Sequence, residues 1–311
     1  MKILSLFDGM ACGALAMQAA GIEIDKYIAY EMDECAIQTA QHNFPFIEER
    51  GDVFKADFTE YAGFDYLIGG SPCTYWSIAQ TKNRETVASG MGWELFSQYV
   101  RALHEAKPRF FLYENNKSMS AAIRESITET FGFEPILINS ALVSAQNRQR
   151  LYWCGIRQAD GTYKKADIQQ PADLGILLKD ILEKNGVTWR DKSHTITATE
   201  SKGSSLQHCL EKHIRTQIAS PADGKAGTLR ATKAAPIYEV KDGFITVKGN
   251  KYPIKLVDGL YIIRKLTVRE CMRLQTVPEW YEWPVSKSQA YKMLGNGWTV
   301  EVIAHLLRGL K

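Results

Sequence analysis

The stretch Phe64-Asp65-Tyr66-Leu67-Ile68-Gly69-Gly70-Ser71-Pro72-Cys73 decides the fold. Its apolar run has the length of a buried strand, and Gly-Gly followed by Ser-Pro stops it abruptly. Proline fixes its own φ and restricts Ser71, so Cys73 is expected on a stiff corner at the strand's carboxyl end. Open α/β sheets place their active sites at such ends. A thiol held there reads as a nucleophile. A buried, inert cysteine is the competing reading on this stretch alone.

Outward from it, residues 1–156 alternate two patterns. Strands are expected at 3–7, 27–31, 64–69, 110–114, 135–138 and 151–156, and amphipathic helices at 14–20, 33–43, 93–106 and 118–131, the last closed by Gly132. This alternation predicts a Rossmann-like α/β fold, a mostly parallel sheet with helices on both faces. After Arg157 the texture changes to short Thr/Ile/Val/Tyr runs, with Asp160-Gly161 and Asp242-Gly243 reading as hairpin turns. A second, smaller domain rich in β structure and loops is expected there. Helical patterning returns from Leu266.

The 311 residues contain no apolar stretch of membrane-spanning length, and Asp8 interrupts the first apolar run too early for a secretion signal. A cytoplasmic protein, not membrane-bound, is expected. Cys12, Cys35, Cys73, Cys154, Cys209 and Cys271 form no C-x-x-C pair, so no metal site and no disulfide framework are expected. Residues 157–275 hold 21 Lys and Arg against 13 Asp and Glu, while the remainder holds 17 against 22. The basic surplus points to a polyanion facing the middle-to-late segment.

Other strand ends carry polar groups. Phe7-Asp8-Gly9-Met10-Ala11-Cys12-Gly13 is a strand-to-helix turn of small residues that admits a cofactor closely, without the G-x-G-x-x-G spacing of a dinucleotide site. Glu31 and Asp52 each sit where a carboxylate holds a ribose or caps a helix. Glu114 ends a strand and is a candidate acid toward a heterocycle if it shares a pocket with Cys73. Gln146, Arg148 and Arg150, at spacing two, are expected on one strand face. They read either as an exposed polar face or as groups that hold a base and its phosphate.

With these segments in hand, the chain resembles the cytosine-5 DNA methyltransferase family of the bacterial and phage modification type. Six matching stretches run in the family's order: Ser5-Leu6-Phe7-Asp8-Gly9, Gly69-Gly70-Ser71-Pro72-Cys73, Glu114-Asn115, Gln146-Asn147-Arg148-Gln149-Arg150, Leu266 through Gln275, and Gly295-Asn296. The resemblance implies a catalytic, S-adenosylmethionine-binding domain at 1–157, a target-recognition domain at 158–262, and a return segment at 263–311 that completes the catalytic domain. It implies that Cys73 adds to C6 of a flipped cytosine, Glu114 meets N3 and the exocyclic amine, and Arg150, Arg148 and Gln146 steady the base, its phosphate and the attacking loop. Phe7, Glu31, Met32, Asp52 and Val53 are implied around the donor's adenosine, Asp8, Gly9 and Asn296 near its methionine part, and Pro72 and Trp298 elsewhere in the donor site. The implied partner is double-stranded DNA, bound by a monomer, with a cognate restriction endonuclease left open. Residues 74–92 are expected to close over the base.

The sequence departs from the family pattern in several places. Cys12-Gly13 replaces the usual Gly-Gly, Glu114-Asn115-Asn116 the usual Glu-Asn-Val, and Gly295-Asn296-Gly297-Trp298 the usual Gly-Asn-Ser-Val. The tryptophan resembles the animal de novo branch. Two rival functions share the fold: a tRNA cytosine methyltransferase, which the missing Pro-Pro-Cys form disfavours, and a DNA-binding protein without catalysis, which intact Cys73, Glu114 and Arg150 disfavour.

Overall fold

A computed structural model describes residues 1–78, 82, 84–212, 214–222 and 236–310. Part of the expected closing loop, 79–81 and 83, lies outside the described residues. The first sheet is built from β1 (Lys2–Leu6), β2 (Lys26–Tyr30), β3 (Ile47–Glu49), β4 (Tyr66–Gly69), β5 (Phe110–Asn116), β6 (Ile136–Asn139), β7 (Gln149–Arg157) and β8 (Tyr163–Lys165). Among the described residues its order is β3-β2-β1-β4-β5-β7-β6, with β8 paired to β7. β1 to β5 are mutually parallel, and β7 runs against both β5 and β6. The central strands are buried on both faces, which is why their sequences are near-continuous apolar runs.

Helices cover both faces. α1 (Cys12–Ala19) buries every residue from Cys12 to Met17. Such all-round burial requires a cover on the side away from the sheet. That cover comes from the far end of the chain. α2 (Glu34–Asn43), α3 (Met91–Ala106) and α4 (Ala121–Phe131) follow, and Gly132 ends α4 in the left-handed conformation at φ 79°. Next come α5 (Leu178–Ile181), α6 (Leu206–Lys212), α7 (Val268–Leu274), α8 (Lys287–Asn296) and α9 (Val300–Gly309). α9 lays a stripe of Val300, Ile303, Ala304 and Leu307 inward and packs on α1, where Arg308 donates to the Ala19 carbonyl at 2.7 Å. α7 opens with a capping box in which Thr267 and Glu270 satisfy each other's backbone N–H groups.

Between α6 and α7 lies a second, antiparallel sheet, β9 (Gln217–Pro221), β10 (Ile237–Lys241), β11 (Phe244–Val247), β12 (Asn250–Pro253) and β13 (Gly259–Lys265). Its order is β12-β11-β10-β13-β9 among the described residues, and it encloses a separate small core of Val240, Ile245, Val247 and Tyr261. The Asp242-Gly243 turn joins β10 to β11 as the sequence predicts.

Candidate functional site

Strand register assembles the site. Leu6 pairs with Tyr30 and Gly69, and Gly69 with Tyr113. The next residue on each strand is therefore level across the sheet, and these are Phe7, Glu31, Gly70 and Glu114. β7 runs the other way, so its beginning reaches the same edge, with Asn116 opposite Arg150. Five chain segments thus meet at one rim, and three of them bring a charged side chain to it, Glu31, Glu114 and Arg150.

Past Gly70 the chain turns at Ser71-Pro72 into a 3-10 turn at Cys73–Tyr75. Asn115 holds the turn: its side-chain N–H donates to the Ser71 carbonyl at 3.1 Å, and Ser71 Oγ lies 2.7 Å from the Tyr113 hydroxyl. A Cβ at Gly70 would come within 2.8 Å of the Glu114 carbonyl, so glycine permits the close approach of the two strand ends. The Glu114 carboxylate is fixed at both oxygens. Arg150 Nε lies 3.1 Å from Oε1, and Trp298 Nε1 donates to Oε2 at 2.9 Å.

Two thiols line the same cavity, Cys12 and Cys73. Burial pushes the Cys12 thiol up to about 12, beyond use as a nucleophile near neutrality. Burial raises Cys73 as well and Glu114 adds to the rise, while Arg150 and Arg148 pull the other way. Cys73 is also only partly buried, so it alone of the pair combines access with cationic neighbours.

On the other side of the cavity, Glu31 takes the Gly9 N–H at 2.8 Å on one oxygen and the Met32 and Asp33 N–H groups at 2.7 and 2.8 Å on the other. Gly9 adopts φ 61°, and Phe7 and Ala11, at φ 59° and 60°, share that left-handed region without being glycine. Such strained positions concentrate where a loop must meet a ligand. Asp8 accepts from Ser5 and Tyr27, and its remaining oxygen is buried without a hydrogen-bond partner among the described residues. Burial raises its carboxyl to about 6, against the lowering effect of those two hydrogen bonds.

The cavity, about 250 Å³, is walled by Phe7, Asp8, Gly9, Glu31, Pro72, Cys73, Glu114, Arg148, Arg150, Asn296 and Trp298 among others. Three sequence-predicted donor residues are not in its wall. Met32 is exposed, Asp52 caps the turn at Val53–Lys55 through the Phe54 N–H, and Val53 is buried in the core beneath.

Two of the expected base-steadying residues are placed otherwise. Gln146 precedes β7 and is fully buried, donating to Leu274 and Gln275 and accepting from the Ile196 N–H, so it ties the segment at 274–275 to the loop at 196 and is not in the wall of this cavity. Arg148 does reach the cavity wall, yet its guanidinium is spent on the carbonyls of Ile196, Gly295 and Gly297 at 3.2, 3.2 and 2.8 Å. The expected shared strand face is replaced by two buried clamps because β7 begins only at Gln149. Sequence reading missed Asp33 and Lys292, an ion pair at 2.5 Å at the cavity rim, since its partners are far apart in the chain. The signal was there in part: Asp33 stands at the start of a predicted helix, which it does cap.

Beyond Cys73, Thr74, Arg150 and Asn296 a second cleft opens, about 850 Å³, lined by Asn116, Lys117, Asn139, Asn147 and Gln149 together with Thr195 to Thr199. It is wide, and Cys73 borders both spaces. No group of three or more metal-ligating side chains occurs among the described residues, and no helix there is long and apolar enough to cross a membrane.

Comparison with known proteins gives one consistent family. The model for C-5 cytosine-specific DNA methylase matches residues 1–311. The orphan methyltransferase M.SPRI of Bacillus phage SPR is 24% identical, covering 100% of this chain and 97% of its own. The type II methyltransferase M.FnuDI of Fusobacterium nucleatum is 26% identical, covering 100% and 94%. Among solved structures, the Dnmt2 methyltransferase of S. pombe superposes with a TM-score of 0.62 at 14% identity, covering 100% of this chain and 98% of that one. At that identity the likeness speaks for the fold alone.

Proposed function

The chain belongs to the C-5 cytosine-specific DNA methylase family and is a DNA cytosine methyltransferase, and on that premise we propose a covalent mechanism in which Cys73 attacks a cytosine flipped out of duplex DNA. The observation that carries it is the junction: Cys73 stands where a cavity lined by Glu31 and the doubly anchored Glu114 opens into a wide cleft. S-adenosylmethionine fits the inner cavity on two counts. Glu31, which accepts once on one oxygen and twice on the other, keeps a lone pair on the first for a ribose hydroxyl, and the partnerless oxygen of Asp8 suits the donor's cationic methionine end. Bound there, it supplies an electrophilic methyl group.

The rest is work for the chain's own residues. Cytosine C5 is a poor nucleophile, and a duplex hides it, so the base must leave the stack at a cost of a few kcal/mol. Glu114 accepts from the exocyclic amine, and from N3 once N3 is protonated, with Arg150 holding both the carboxylate and the base. The sulfur of Cys73, as thiolate, bonds to C6 while its proton passes to N3, which makes C5 enamine-like. C5 takes the methyl group as that group's bond to the donor's sulfonium sulfur breaks and leaves a neutral thioether, then loses its proton to water as the Cys73–C6 bond breaks and the N3 proton returns to the thiolate. Asn115 keeps the thiol in line by fixing the Ser71 carbonyl. Residues 158–262 are the target-recognition segment, facing the cleft through Thr195 to Thr199. One relative is an orphan enzyme and the other a type II enzyme, so a restriction partner is left open.

The test is transfer of tritium from labelled donor to mixed-sequence duplex DNA, with tRNA as a parallel substrate. Cys73→Ser is expected to abolish transfer to DNA while donor binding survives, because serine is far less acidic than a thiol. In DNA carrying 5-fluorocytosine the adduct is expected to persist on a denaturing gel, since fluorine cannot leave as a cation. Full activity in Cys73→Ala rules the covalent route out, and preference for tRNA moves the substrate to RNA.

A further inference from the structure

We propose that Trp298 is a positioning residue for the Glu114 carboxylate rather than only a wall of the donor cavity, an inference that rests on the catalytic reading of Glu114. The terminal torsion of a glutamate is soft, and a single donor leaves the carboxylate free to turn about it. Here the two oxygens are held from two elements, Oε1 in an ion pair with Arg150 Nε at the start of β7 and Oε2 by the N–H of Trp298 in the link between α8 and α9. Two anchors on different oxygens fix the plane. Each oxygen still has a lone pair to offer a base.

The indole is itself preset. The carbonyl of Gly297 accepts from Arg148 at 2.8 Å and Gln275 at 3.1 Å, and that of Gly295 from Arg148 at 3.2 Å. On the other side Thr299 Oγ1 donates to Gln275 Oε1 at 2.9 Å and lies 2.8 Å from Ser140 Oγ. Trp298 thus springs from backbone pinned by buried groups on both sides. A wall needs only a ring, and any aromatic residue provides one. The indole adds a single N–H donor, and this one is spent on the carboxylate at the thiol's side. The usual Gly-Asn-Ser-Val of the resembling family has valine at this position, which has no side-chain donor to give.

The test compares Trp298→Phe, Glu114→Gln and the double variant in single-turnover methyl transfer to duplex DNA, with affinity for S-adenosylhomocysteine measured by calorimetry. Trp298→Phe keeps the ring and removes the N–H. It is expected to slow transfer about ten- to hundredfold, the range for one hydrogen bond to a charged group. Affinity for S-adenosylhomocysteine should stay within about twofold of wild type, because the loss falls on the chemical step. Since Trp298 acts through Glu114, the double variant should be no slower than Glu114→Gln alone. Wild-type speed in Trp298→Phe, a loss of affinity that accounts for the slowing, or multiplicative losses in the double variant overturn the proposal. Wild-type speed in Glu114→Gln overturns the catalytic reading of Glu114 itself, which the other outcomes leave intact.

Discussion

Glu49 ends β3 with both carboxylate oxygens buried and without hydrogen-bond partners among the described residues. Burial, with Asp8 and Glu31 adding to it, raises its carboxyl to about 8. The folded state therefore holds a proton that the unfolded chain releases near its ordinary 4.5, and stability is expected to fall as pH rises from there toward 8. Asp8, raised to about 6, contributes in the same sense over a narrower range. Glu49→Gln keeps a neutral group of similar shape at every pH. It is expected to raise the melting temperature at pH 8 by a few degrees, and to change it little at pH 5. Thermal unfolding at the two pH values decides it, and an equal shift at both contradicts the buried-proton account. The contrast with the other acids explains what a sequence reveals at this scale. Cys73, Glu114 and Glu31 were legible because each follows an apolar run that fixes where its strand ends. The partners of Gln146, Arg148 and Trp298 were not, because each lies tens of residues or more away in sequence.

At the scale of elements, the alternation of strand and helix gave the parallel sheet, while the reversal of β7 carried no periodic signal, since either direction buries the same residues. β3, at three residues, is too short to register as a pattern. The contact between α8 and the loop at 197–198 was equally silent, yet it is among the tightest in the molecule. A Cβ on Gly295 would lie 2.1 Å from the carbonyl carbon of Thr197 and 2.3 Å from the Ala198 nitrogen, backbone against backbone. Gly295 lies within α8, where alanine is intrinsically favoured over glycine by about 1 kcal/mol. Any destabilisation by Gly295→Ala therefore measures the contact. Overpacking of this kind typically costs about 1–3 kcal/mol or more. The variant is expected to melt several degrees lower, and to lose affinity for both donor and DNA because the displaced segments border both spaces. An unchanged melting temperature shows that the loop yields freely.

For the whole molecule, the division of labour is written in where the walls come from. Among the described residues, those lining the inner cavity all lie outside 158–262, whereas Thr195 to Thr199 line the outer cleft. The basic surplus of residues 157–275 overlaps that second segment. Phosphate contacts from it imply binding that weakens steeply with salt, and removal of one phosphate-binding lysine should reduce the salt slope by about one for all sequences alike. Target choice follows a different rule, since a base-reading side chain is worth about 1–3 kcal/mol at one position only. The segment is also tied to the catalytic body through backbone atoms, because Gln146 takes the Ile196 N–H and Arg148 its carbonyl. Side chains there can change without breaking either tie. Exchange of 158–262 for the matching segment of a relative is therefore expected to redirect methylation to the relative's site, read by bisulfite sequencing of methylated plasmid. Affinity for S-adenosylhomocysteine should be unchanged in the same chimera, because no wall of its cavity has been replaced. A chimera that keeps the original target places recognition in the loop after Cys73, and one that loses donor affinity shows that the ties at Ile196 depend on more than backbone.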